Sequence, residues 1–214
     1  DPEVAPGVIR VQRPGQVLQV GDVIRVRLEA WDGKNQQWNL SLEQTPRAQA
    51  ALICMESDNA HVRAMVGGRK FSESQFNRAT QSRRQPGSAF KPVVYAAALD
   101  KGYTPATVIA DTSIVFTDDE RDFTWKPDNY DNTFHGFTLL RDGLIHSRNV
   151  VTVKIMQDIG VDYVIDYARK LGIESQLDRN LSTALGSSGV SLLELARAYG
   201  VFANQGIRQE PVFI

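Results

Sequence analysis

The segment from Pro86 to Leu99 constrains this chain more than any other. Pro86-Gly87 is a turn signal. Behind it, Phe90, Val93, Val94, Ala96, Ala97, Ala98 and Leu99 make a strongly apolar helical run. A helix apolar on every side must be buried, so other elements have to pack around residues 88–100. Ser88 and Lys91 stand at its opening, as Ser88-Ala89-Phe90-Lys91. Positions i and i+3 share a helix face, roughly 5–6 Å apart at Cβ, so the Lys91 amine is within reach of the Ser88 hydroxyl. Desolvation lowers the pKa of a lysine, and a neutral amine is a general base. The pair is an arrangement that makes an alcohol nucleophilic without histidine. Taken alone, S-x-x-K also fits a solvated helix face.

A second constellation lies at Ser147-Arg148-Asn149. A serine and an asparagine two apart offer a hydroxyl for proton relay and an amide that both donates and accepts. The structural alternative is that Ser147 ends one helix and Asn149 caps the next. Together with the first motif, the functional reading is favoured.

With both motifs quoted, the stretch from about Ala50 onward resembles the transpeptidase domain of class A, bifunctional penicillin-binding proteins of the 1a type. That superfamily carries S-x-x-K, an S-x-N or S-D-N element and K-T-G. The matching text is extensive: Phe76-Asn77-Arg78-Ala79-Thr80, Arg84-Gln85-Pro86-Gly87-Ser88, Pro127-Asp128-Asn129-Tyr130-Asp131, Ala184-Leu185-Gly186 and Ala196-Arg197-Ala198-Tyr199. One element departs. No K-T-G triplet is present, and the only lysines after Ser147 are Lys154 and Lys170. The expectation is that these residues are a fragment, or the ordered portion, of a longer protein, whose membrane anchor, glycan-polymerising domain and K-T-G strand lie outside them.

The resemblance implies a serine acyl-transferase. Ser88 attacks the carbonyl at the D-Ala-D-Ala end of a peptidoglycan stem peptide, and Lys91 takes its proton. Ser147 relays that proton to the leaving amine, and Asn149 holds Lys91 and meets the substrate backbone. An amine from a neighbouring peptide then resolves the ester into a cross-link. A β-lactam would acylate Ser88 in the same way. Trp125, Tyr130 and Phe134 are candidates for the substrate groove, or alternatively for packing their loop on the sheet. Arg148 is expected to be exposed at the cleft edge. The place implied is the periplasmic face of the bacterial inner membrane, with cell-wall regulatory proteins as possible partners. A non-catalytic penicillin-recognising sensor and a scaffold domain of a cell-wall complex stay open as other readings.

Composition closes other routes. The net charge of −1 over 214 residues argues against a nucleic-acid partner. No apolar stretch approaches the ~20 residues a membrane helix needs. The single cysteine, Cys54, excludes an internal disulfide and reads as a small core residue. His61, His135 and His146 lack metal-ligand spacing, so neither metal nor cofactor is expected.

The expected fold class is α+β: an antiparallel sheet sandwiched by helices over 45–214, preceded by a small OB-like β module over 1–44. In the module, Val23–Ala30 alternates and Asp32-Gly33-Lys34-Asn35 is a hairpin signal. Trp38, Leu40 and Leu42 alternate after it, with shorter strand candidates at Val8–Val11 and Val17–Val20. Ala51–Met55 and Val62–Val66 read as a hairpin whose first strand, apolar on both faces, belongs in the middle of a covered sheet. Residues 111–137 read as loop-rich, and residues 138–146, 150–159, 161–171 and 191–204 as helices.

Overall fold

The computed structural model describes residues 13–44, 46, 48–118 and 123–213. The chain divides into two compact units, Asp1–Ala48 and Gln49–Ile214.

The described part of the first unit is a hairpin of β1 (Arg25–Asp32) and β2 (Gln37–Glu43), paired antiparallel with a bulge between Leu28 and Ala30. Asp32 closes the turn: its carboxylate accepts from the Lys34 and Asn35 backbone N–H groups. Trp31 and Trp38 face each other edge to face, ring centroids 5.5 Å apart. No barrel is present among the described residues. Val17 and Val20 are exposed and lie in no strand, and Val8–Val11 falls outside the described residues. Among the described residues these two strands have no second layer to bury against, and Val26, Leu28, Leu40 and Leu42 are exposed.

The second unit is α+β, and its strands join two by two. β3 (Leu52–Met55) pairs with β4 (Val62–Val66), β5 (Val108–Asp111) with β8 (Gly136–Leu139), and β6 (Phe116–Asp118) with β7 (Phe123–Trp125), all antiparallel. The segment 111–137, read as loop, thus carries short strands. Its many Asp and Asn residues hid the pairing, because they depress strand propensity while bonding the turns. Among the described residues β3 is covered on one face only. Ile53 and Met55 turn inward, toward α5 (Leu192–Ala203), where the Met55 methyl lies 3.6 Å from the Cβ position of Gly200. Leu52 and Cys54 alternate to the open face and are exposed. The expected double-sided burial of this strand, and of Cys54 with it, is therefore not realised.

Helices build the core. α1 (Lys91–Asp100) buries Val93, Val94, Ala97 and Ala98 against α3 (Asn149–Ile159) and α4 (Val161–Lys170). α3 contributes Val151, Val153, Ile155 and Met156, and α4 contributes Val164, Ile165 and Ala168. The short α2 (Leu140–Ile145) packs on both α1 and α3. At Gly143 a Cβ would lie 2.7 Å from the Tyr95 hydroxyl, so only glycine permits that approach. α5 opens with a capping box. The Ser191 hydroxyl accepts from the Glu194 N–H, and the Glu194 carboxylate accepts from the Ser191 N–H.

Candidate functional site

Ser88 lies in a single 3-10 turn, Gly87–Phe90, that runs straight into α1. Pro92 sits in the first turn of α1, where its missing N–H would have no partner. In a 3-10 turn side chains three apart eclipse, so Ser88 and Lys91 share a face. The Lys91 N–H donates to the Ser88 carbonyl. Ser88 is exposed. Its hydroxyl has no hydrogen-bond partner among the described residues.

Lys91 is the reverse: only 1% of it is exposed, although it carries a titratable amine. The amine reaches across to the junction of α2 and α3. It donates to the Ser147 carbonyl at 2.6 Å, the Ser147 hydroxyl at 3.0 Å and the Asn149 Oδ1 at 2.6 Å. An ammonium has three N–H donors, and these oxygens take all three. Burial nevertheless pushes Lys91 down to about 8. In the neutral form the amine keeps its bonds to the two fixed acceptors, the Ser147 carbonyl and the Asn149 amide oxygen. Its lone pair then accepts from the Ser147 hydroxyl, which can donate or accept. The same three contacts serve both protonation states, so a proton can move between Lys91 and Ser147 without rearrangement.

The junction is built to present these acceptors. Ser147 has φ +52°, in the left-handed region that a β-carbon makes costly. The turn is held by bonds from the Ser147 N–H to the Leu144 carbonyl and from the Arg148 N–H to the Gly143 carbonyl. Left-handed residues of this kind cluster where a site needs a side chain aimed. Asn149 is the first residue of α3, and its Nδ2 donates to the Asp128 carbonyl at 3.0 Å. That bond fixes the amide so that Oδ1, not Nδ2, faces Lys91.

Several supporting residues escaped the sequence reading. Asn129 donates from Nδ2 to both carboxylate oxygens of Asp111 at 2.9 Å and accepts at Oδ1 from the Val150 N–H. It thereby ties the buried Asp111, at the end of β5, to the start of α3. Asp111 also accepts from the His135 backbone N–H. Arg148 is not at an open cleft edge. Its side chain is 17% exposed, and its guanidinium donates to the Asp131 carboxylate at 2.6 Å. That bond, foremost, holds Asp131 down to about 2. An acidic partner within the loop-rich stretch drew Arg148 in. The adjacent Pro127-Asp128-Asn129-Tyr130-Asp131 text was the available signal for this brace.

The aromatics separate. Trp125 stacks on Phe116 across the β6–β7 pair, centroids 5.5 Å apart, at the edge of the core. Tyr130 is fully exposed and Phe134 is 38% exposed. Both stand on the loop that Asp128 and Asn129 tether to α3. Among the described residues no group of His, Cys, Asp or Glu is placed to hold a metal.

The family model described as the penicillin binding protein transpeptidase domain matches residues 50–214. The chain is 42% identical over 204 residues to penicillin-binding protein 1A of Pseudomonas aeruginosa, covering 95% of this chain and 24% of that one. It is 40% identical over 200 residues to penicillin-binding protein 1A of Vibrio cholerae, covering 93% of this chain and 24% of that one. Among solved structures, the crystal structure of penicillin-binding protein 1A from Haemophilus influenzae superposes with a TM-score of 0.77 at 37% identity, over 88% of this chain and 27% of that one. The chain thus spans about a quarter of the length of the curated relatives it matches.

Proposed function

We propose, starting from the chain's membership of the penicillin-binding protein transpeptidase family, that it carries the acyl-transfer centre of a peptidoglycan D,D-transpeptidase acting outside the cytoplasm. The observation that carries this reading is the buried Lys91 amine, lowered to about 8 and bonded to Ser147 and Asn149, on the same helical face as an unpartnered Ser88 hydroxyl. At pH 7.5 an amine of pKa 8 is about one quarter neutral, against about one thousandth for an ordinary lysine. The site therefore holds a usable base at working pH.

Ser88 Oγ attacks the carbonyl carbon of the penultimate D-Ala of a stem peptide, and its proton passes to the Lys91 amine, whose lone pair turns from the Ser147 hydroxyl toward Ser88 for this step. The tetrahedral oxyanion takes a bond from the Ser88 backbone N–H, at the start of a helix whose dipole favours negative charge. The proton moves from Lys91 through the Ser147 hydroxyl to the departing D-Ala amine, the C–N bond breaks and an ester on Ser88 remains. An amine of a neighbouring stem peptide attacks that ester, its proton returns along the same path to Ser88 Oγ as the ester C–O bond breaks, and a new amide is formed while the Ser88 hydroxyl is restored. A β-lactam enters identically, but its opened ring stays attached and blocks the second amine. Asn149 keeps the amine aimed, and the loop bearing Tyr130 and Phe134 flanks the substrate. The glycan-polymerising activity and the membrane anchor of the intact protein are part of the same reading. Among the described residues no helix is long and apolar enough to cross a membrane.

The test is a labelled penicillin offered to the full-length protein and to its Ser88→Ala variant. The reading requires a covalent adduct on the first and none on the second; label retained by Ser88→Ala would sink it.

A further inference from the structure

The turn that carries Ser88 is short and exposed, yet it is gripped from behind. Segment 84–87 lies beside segment 186–190. Arg84 and Val190 exchange both backbone bonds at 3.0 Å, and the Gly87 N–H donates to the Gly186 carbonyl at 3.2 Å. Gly186 closes the 3-10 turn Leu181–Leu185 in the left-handed region, at φ +69° and ψ +39°. A Cβ there would lie 2.2 Å from the Gly87 carbonyl oxygen and 2.6 Å from the Gly87 nitrogen. Those are backbone atoms, so no side-chain rotation relieves the clash. The backing segment is itself braced. The buried Thr183 hydroxyl donates to the Asp178 carbonyl at 2.8 Å and lies 3.2 Å from the Ser188 hydroxyl. On the far side, the Tyr199 hydroxyl of α5 donates to the Ala89 carbonyl at 2.9 Å. The residues before and after Ser88 are thus each held by a partner about a hundred positions further along the chain.

We propose that Gly186, with Tyr199, is a positioning residue for the Ser88 hydroxyl, setting the height of the nucleophile by backbone contact with Gly87 and a hydrogen bond to Ala89. The proposal rests on the acyl-transfer reading of Ser88. Both act on the backbone of the turn, Gly186 at Gly87 and Tyr199 at Ala89. Each fixes one end of the turn, so that the side chain without bonds of its own is aimed by its backbone. Effective attack needs the oxygen about 3–3.5 Å from the carbonyl, and a displacement of about 1 Å can cost about 10²-fold in rate. A Cβ at Gly186 forces a displacement of that order.

The experiment measures acylation of the full-length protein by a chromogenic penicillin under rapid mixing. It separates the dissociation constant of the initial complex from the acylation rate constant. Gly186→Ala should lower the rate constant by about tenfold or more while the dissociation constant stays within about threefold. The pH midpoint should match the wild type, because the Lys91 contacts are untouched. Gly102→Ala is the control: Gly102 also has positive φ, +93°, but open space around its Cβ position. It carries the conformational strain without the contact and should acylate within about twofold of the wild type. Tyr199→Phe removes one hydroxyl and should slow acylation about threefold or more. Gly186→Ala reacting within about twofold of the wild type, or no faster or slower than Gly102→Ala, overturns the proposal. If Gly186→Ala does not fold, Tyr199→Phe decides it, and a rate equal to the wild type overturns it. A wild type that forms no adduct refutes the acyl-transfer reading instead, which keeps the two failures distinct.

Discussion

Replacing Asn149 by Asp tests the electrostatics of the site at the atom that matters. Asn149 Oδ1 lies 2.6 Å from the Lys91 amine. In Asn149→Asp a carboxylate oxygen takes its place and favours the ammonium. Two unit charges 4 Å apart at an effective dielectric of about 20 interact by about 4 kcal/mol. Asn149 is only half-buried, so solvent screens part of this, and about half, or about 2 kcal/mol, is a fair expectation. At 1.36 kcal/mol per pKa unit that raises Lys91 by about 1.5 units, from about 8 to about 9.5. The neutral fraction at pH 7.5 then falls from about one quarter to about one hundredth. Acylation of Ser88 by penicillin should slow about twentyfold at pH 7.5 and recover most of its rate by pH 10, the whole limb moving up by about 1.5 units. The assay is the acylation rate constant from pH 6 to pH 10, with adduct quantified after seconds. The lost bond to the Asp128 carbonyl would lower the rate equally at every pH, so the midpoint isolates the charge effect. A uniform loss with an unmoved midpoint would refute the claim that Lys91 acts as a neutral base.

Other outcomes follow from the same geometry. Ser88→Ala should unfold within about 0.5 kcal/mol of the wild type, because the exposed hydroxyl has no bond to lose; equilibrium denaturation checks this, and a loss above about 2 kcal/mol would mean the hydroxyl has a structural partner. Glu194 is 8% exposed. Burial alone would raise its pKa, but bonds from the Ser175 hydroxyl and from the Ser191 backbone and hydroxyl outweigh it and hold it down to about 2. The unfolded carboxyl, near 4.5, binds a proton before the folded one does. Its stabilisation, about 3 kcal/mol, is therefore complete above pH 4.5 and lost as pH falls toward 2. Glu194→Gln should be less stable at pH 7 and flatten that acid limb; an unchanged slope between pH 4.5 and 2 would contradict the assignment.

What the sequence disclosed follows the range of the interactions. α1, α3, α4 and α5 were legible because apolar spacing is local, and Ser88 with Lys91 because one turn of chain sets their relation. Ser147 and Asn149 needed the motif, since nothing local brings residues 147–149 to residue 91. The Asn129–Asp111 tie and the Arg148–Asp131 pair were not legible. Each joins a loop to a helix start, and Asp and Asn in such stretches read equally well as solvated turns. Gly186 was quoted for its resemblance alone; its role depends on backbone contact with Gly87, which no periodicity encodes. The second face of β3 misled for another reason: an apolar strand records what it can bury, while the described residues cover only the side toward α5.

The central claim is a protonation state. Carbon-13 labelled lysine in the full-length protein would let the Lys91 Cε shift be followed from pH 6 to pH 11, assigned by comparison with Lys91→Arg. A midpoint near 8 is the predicted result. A midpoint at 10 or above would show an amine that stays charged at working pH, and would contradict the account of how Ser88 is activated.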